Sequence, residues 1–173
     1  MLKVINLLSL TVLTLTACST TPENSANTSS VTTNNNPCKA TTEAEIAGLF
    51  DRWNNALQTG DSKKVVANYA TKSILLPTVS NKPRYSAAEK EDYFNHFLVL
   101  KPKGKITQRH IQIGCNTAFD AGLYTFHMGK TGQDVQARYS YTYAWDGKQW
   151  LITSHHSSAM PEKAGSSAQA SHH

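Results

Sequence analysis

Charge is scarce in this chain: Asp, Glu, Lys and Arg together make up 17% of its 173 residues. So little charge excludes a coiled coil and a charge-driven disordered chain. The balance is basic, +5 at pH 7, yet no window holds a dense Lys/Arg cluster, so no nucleic-acid partner is expected. Continuous apolar sequence is confined to the extreme N-terminus, which excludes a polytopic helical membrane protein. Cysteine is limited to three residues and forms no C-x-x-C. The seven histidines form no H-x-H or H-x-x-x-H, so the usual zinc spacings are missing. G-x-S-x-G and glycine-rich phosphate loops are also missing, which removes two more reaction classes.

What is present begins with an address. Lys3 precedes an apolar run over 4–15. That run is too short to span a bilayer, which takes about 20 apolar residues, and has the length of a signal-peptide core. It ends in Leu15-Thr16-Ala17-Cys18, which resembles the bacterial lipoprotein box, where the cysteine is acylated and becomes the mature N-terminus. The expectation is a signal peptide over 1–17 and lipidation at Cys18. Because Ser19 and not Asp follows, the expected place is the periplasm, anchored to the outer membrane. Secretion to the periplasm without an anchor is the alternative. Residues 18–37 are rich in Ser, Thr and Asn and lack aromatics. They bury too little apolar surface to offset ordering entropy and read as a flexible tether; 164–173 reads as a flexible tail. One domain remains, 38–163. In an oxidising compartment its Cys38 and Cys115 read as one disulfide, with two free thiols as the alternative.

Within the domain, Thr42-Glu43-Ala44-Glu45 and Ser86-Ala87-Ala88-Glu89 are capping boxes. The first opens a helix with Ile46, Leu49, Phe50, Trp53 and Leu57 inward. The second opens a helix with Tyr93, Phe94, Phe97 and Leu98 inward. Gly60-Asp61 separates a short helix, capped by Ser62, from the first; a strand over 73–77 and a loop over 78–84 follow. The period then changes to two. Strands are expected over 105–117, 123–128, 135–145 and 149–157, with turns at Pro102-Lys103-Gly104, Asp120-Ala121-Gly122 and 129–133. Asp146-Gly147 signals a type I′ hairpin. Helices first and hairpins last give an α+β fold, a curved antiparallel sheet folded over N-terminal helices with a cavity between them.

Polar side chains concentrate at the end of the last strand. Strict alternation from Trp150 and Ile152 sends Ser154, His156 and Ser158 inward and His155 and Ser157 outward. His156 and Ser158 are therefore the pocket candidates, unless they satisfy each other alone. In strand 135–145, Arg138 shares a face with Gln136, Ser140 and Thr142. That face either lines a cavity that binds a small anion or meets solvent or a subunit. Tyr139, Tyr141 and Tyr143, on the opposite face, suggest a dimer if exposed.

The segment Thr41 to Glu162 resembles the nuclear-transport-factor-2-like (cystatin-like) superfamily, close to the association domain of calcium/calmodulin-dependent kinase. More narrowly, it resembles bacterial iota-class carbonic anhydrases. The residues that carry this are Leu75 to Arg84, Asp92-Tyr93-Phe94, Gly114-Cys115-Asn116, Ala137 to Tyr143 and His155-His156-Ser157-Ser158-Ala159-Met160-Pro161. The resemblance implies a cone-shaped sheet and CO2 hydration by a Thr, a Tyr, a His and a Ser. These map onto Thr78, Tyr93, His156 and Ser158, with Tyr85 near the helical Tyr and with Arg138 and Ser157 as substrate-binding candidates. It implies CO2 and bicarbonate as ligands, a homodimer or higher homo-oligomer, and no required cofactor, with Zn or Mn as the alternative. A small-molecule isomerase or cyclase, or a non-catalytic oligomerisation or ligand-binding module, is the competing reading.

Overall fold

The computed structural model describes residues 37–162. The expected signal peptide, the lipidation site Cys18, the tether up to 36 and the tail over 164–173 lie outside the described residues.

Helix α1 (Glu43–Gln58) starts where Thr42 accepts a hydrogen bond from the Glu45 N–H, and it buries Ile46, Leu49, Phe50, Trp53 and Leu57 as the spacing requires. Helix α2 (Ser62–Val66) is capped by Asp61, whose carboxylate takes the Lys63 N–H, not by Ser62. Strand β1 (Tyr69–Leu76) follows. Helix α3 (Ala87–Leu98) has the complete reciprocal box between Ser86 and Glu89. Strands β2 (Pro102–Gly114), β3 (Thr117–Met128), β4 (Gln133–Trp145) and β5 (Trp150–Ala159) complete the chain. They form one five-stranded sheet in the order β1-β5-β4-β3-β2. Its pairs are antiparallel except β1 with β5, which run parallel.

Several expectations are corrected. Asp120-Ala121-Gly122 is not a turn but the middle of β3. The chain reverses earlier, at Asn116, which takes a left-handed φ of 56° that Asn tolerates. Asp120 is wholly buried, holding the Arg109 side chain and the Tyr139 hydroxyl. Gly122 is needed because β2 bulges beside it: a Cβ there would lie 2.0 Å from the Gln108 carbonyl oxygen. The Asp146-Gly147 hairpin forms with positive φ at Gly147 alone, 98°, so it is not type I′. Asp146 instead accepts the N–H groups of Lys148 and Gln149. Tyr139, Tyr141 and Tyr143 are buried beneath the helices, which removes them as a dimer surface.

Cys38 and Cys115 are bonded, as expected, across 77 residues. The bridge ties the start of the domain to the β2–β3 turn, where the Lys39 N–H also donates to Asn116. None of residues 37–42 is buried, so the bridge acts mainly by restricting the unfolded chain. Replacing both cysteines by Ala is expected to lower unfolding free energy by about 2 kcal/mol, the low end for such a loop. Urea denaturation checks this, with an unchanged midpoint as the contrary result.

Candidate functional site

The concave face of the sheet and helices α1 and α3 enclose a cavity of about 240 Å³. Its walls are apolar: Leu75, Phe94, Phe97, Leu100, Phe126 and Met128. Trp53 from α1 also lines it and packs edge-on against Phe94, Phe126 and Tyr141, with ring centroids 6.1, 6.2 and 6.0 Å apart. Thr78, Tyr93, Tyr124, His155 and Ser157 bring polar atoms, as do Thr131 and Gln133.

Three hydroxyls meet in a chain. Tyr124 donates to Ser157 Oγ, and Ser157 is paired with Thr78. If Ser157, having accepted from Tyr124, donates to Thr78, the Thr78 proton is free to reach a ligand. Burial raises the Tyr124 phenol well above its ordinary range and pushes Tyr93 up to about 12, so both are neutral donors.

His155 is the buried member of the His-His pair, 4% exposed. Its ring stacks on Tyr141 at 4.2 Å and stands edge-on to Trp53 at 5.4 Å. Nδ1 lies 2.8 Å from the Tyr69 hydroxyl. Nε2 is buried and has no partner. Burial, with His156 alongside, lowers its pKa from 6.5 to about 3, so the ring is neutral at pH 7.

The expected phase of the last strand is therefore reversed. Trp150 and Ile152 are buried, but so are His155 and Ser157, while His156 is exposed and Ser158 is half-buried on the outer face. The cause is a bulge: Tyr143 lies opposite Ile152 and Thr142 opposite Ser154, so Thr153 is an extra residue. Its hydroxyl is held by the Thr142 side chain and carbonyl. Beyond it every side chain changes face. His156 and Ser158 thus do not face the cavity. Arg138 shares their face and donates to Ser158 at 3.1 Å, so it does not line the cavity either. Of the remaining sites, Thr78, Tyr93 and Ser157 line it together, and Tyr85, 60% exposed, does not. Tyr124 was not anticipated, although the alternation Tyr124, Phe126, Met128 along β3 is a legible signal of an inward row.

The donor set does not fit a metal. Among the described residues no three His, Cys, Asp or Glu side chains converge, and His155 commits Nδ1 to Tyr69, so Zn or Mn finds no ligand set there.

Residues 42–161 match the calcium/calmodulin dependent protein kinase II association domain. A solved protein of Xanthomonas campestris assigned to that domain is 48% identical, with a TM-score of 0.67 over 73% of this chain and 96% of that one. The iota-carbonic anhydrase of a cyanobacterium, complexed with bicarbonate, is 20% identical, with a TM-score of 0.63 over 72% of this chain and 95% of that one. An NTF2-like protein with a cystatin-like fold from Novosphingobium aromaticivorans is 11% identical, with a TM-score of 0.59 over 70% and 83%. At such identities the last two show the fold alone. No curated protein matches the chain. The matched span covers the helices, the sheet and every residue of the cavity, so the chain belongs to the calcium/calmodulin-dependent protein kinase II association domain family, on an NTF2-like, cystatin-like fold.

Proposed function

We propose that the protein is a carbonic anhydrase that hydrates CO2 in this cavity without a metal. The observation that carries the reading is the meeting of Thr78, Ser157 and Tyr124 hydroxyls with a neutral His155 in one apolar chamber. CO2 is apolar and suits the phenylalanine-lined wall. Thr78 and Ser157 hold the attacking water near it, in a geometry that replaces random encounter. The water oxygen bonds the carbon, and one C=O electron pair moves onto the oxygen that becomes anionic. The water proton passes to Nε2 of His155, which accepts it in the tautomer whose Nδ1–H donates to the Tyr69 hydroxyl. At rest that nitrogen is a weak base, but the anion forming beside it raises its affinity for the proton. Tyr93, as a neutral phenol, stabilises the negative oxygen by donation, while Tyr124 holds Ser157 in place. Bicarbonate leaves, and His155 returns its proton to buffer.

The isomerase or cyclase reading lacks the carboxylate base it would need in the chamber. The buried acid, Asp120, is held by Arg109 and Tyr139 and does not line the cavity. Family membership supports self-association into a dimer or larger ring, independent of the chemistry. The N-terminal sequence supports a periplasmic, lipid-anchored location. Stopped-flow CO2 hydration with and without chelator tests the proposal. The expected result is catalysis that survives chelation; no catalysis above buffer rejects it.

A further inference from the structure

We propose that the same cavity binds a neutral, ring-sized organic molecule with one hydroxyl or carbonyl group, of the phenol class. The inference goes beyond CO2 hydration and stands whether or not that reaction occurs.

Size is the first argument. The cavity holds about 240 Å³, whereas an apolar cavity of about 150 Å³ already accepts benzene. Three-atom CO2 occupies a small part of it. Surface is the second. The rim is apolar as well as the interior: Val79, 84% exposed, and Val135, 40% exposed, both line it. Exposed apolar side chains at an entrance favour an apolar visitor. Aromatic edges are ready for a ring, since Phe97 meets Phe126 edge-on at 5.6 Å and stacks on Tyr93 at 5.9 Å.

Charge is the third argument. No Lys, Arg, Asp or Glu is among the residues that line the cavity. An ion entering would lose its hydration and find no opposite charge. Arg84 approaches from behind Tyr93, 5.9 Å from its ring centroid, and is paired with Asp92. The fourth argument is the unpartnered Nε2 of His155, buried in a residue only 4% exposed. Buried polar atoms are nearly always satisfied. A single polar group on the ligand satisfies Nε2 or the Thr78 hydroxyl, while the rest of the ligand meets hydrocarbon. One polar group and one ring is the chemistry that these walls recognise.

Calorimetric titration of the full chain at pH 7.5 with phenol, cyclohexanol and benzoate tests this. Phenol and cyclohexanol are expected to bind one per chain, and benzoate at least about tenfold more weakly. Val135→Trp puts an indole across the rim at an exposed position and is expected to weaken phenol at least about tenfold. Ser157→Ala breaks the hydroxyl chain and is expected to weaken phenol about fivefold, the worth of one hydrogen bond. Failure of every neutral ring at millimolar concentration overturns the proposal. So does benzoate binding as tightly as phenol, or phenol binding unchanged by Val135→Trp. Hydration assays on the same preparation keep the two readings apart. Ring binding without catalysis rejects the carbonic anhydrase alone, and catalysis without ring binding rejects this proposal alone.

Discussion

Ser157→Ala is expected to lower the CO2 hydration rate about 100- to 1,000-fold, the loss that follows removal of one preorganised donor from a reacting centre. Ser158→Ala is expected to keep the parent rate. The two serines are adjacent, yet one joins Tyr124 and Thr78 inside the cavity and the other meets Arg138 outside it. Composition and strand propensity are thus matched, and position alone differs. Removing the Ser157 hydroxyl leaves the Tyr124 hydroxyl buried without a partner, which costs about 1–3 kcal/mol of stability. Thermal melts therefore accompany the stopped-flow traces, and the comparison is made where both variants are folded. A rate that falls with Ser158→Ala and not with Ser157→Ala would mean that the reaction uses the outer face. If neither falls, the catalytic reading fails.

Acid is expected to destabilise the protein through His155. In the unfolded chain this ring takes up a proton near its ordinary pKa of 6.5, while in the fold it resists until about 3. Between those values the unfolded state binds more protons, so stability falls as pH falls. The stabilisation is full above pH 6.5 and is lost progressively toward pH 3. The slope is about 1.4 kcal/mol per pH unit, so roughly 3 kcal/mol is gone by pH 4. Asp120 tilts the other way: burial raises its pKa, so its contribution is lost as pH rises. Comparing urea midpoints of the parent and His155→Gln from pH 7 to 4 isolates the imidazole. The expected result is a shallower acid slope in the variant. Equal slopes would show that His155 titrates alike in both states.

The helices and the sheet were legible because their signals are local. The boxes at Thr42 and Ser86 and the inward spacing of Ile46, Leu49, Phe50 and Trp53 need no knowledge of the rest of the chain. The β4 alternation from Ala137 to Tyr143 is equally local. The cavity hydroxyls were legible only in part. The family resemblance picks out Thr78, Tyr93 and Ser157, whereas strict alternation sends His155 to the outside. The inward row of β5 depends on Thr153, and its extra place exists only in register with β4. Nothing in a run of Thr and Ser marks which residue is surplus. Asp120 escapes a local reading for a related reason. An Asp beside Ala and Gly has the composition of a turn, and its burial depends on Arg109 and Tyr139 from neighbouring strands. The parallel β1–β5 pair also lies beyond local pattern, since it joins the first strand to the last.

The surplus threonine has a consequence for how this strand tolerates change. His155-His156-Ser157-Ser158 repeats each letter once. Were Thr153 to pair in register instead of bulging out, every later residue would shift one place along β4, and His156 and Ser158 would turn toward the interior. The chamber would then present an imidazole and, two residues on, an alcohol, as it does now. The stutter in the spelling makes the chemistry on offer insensitive to a single slip in phase.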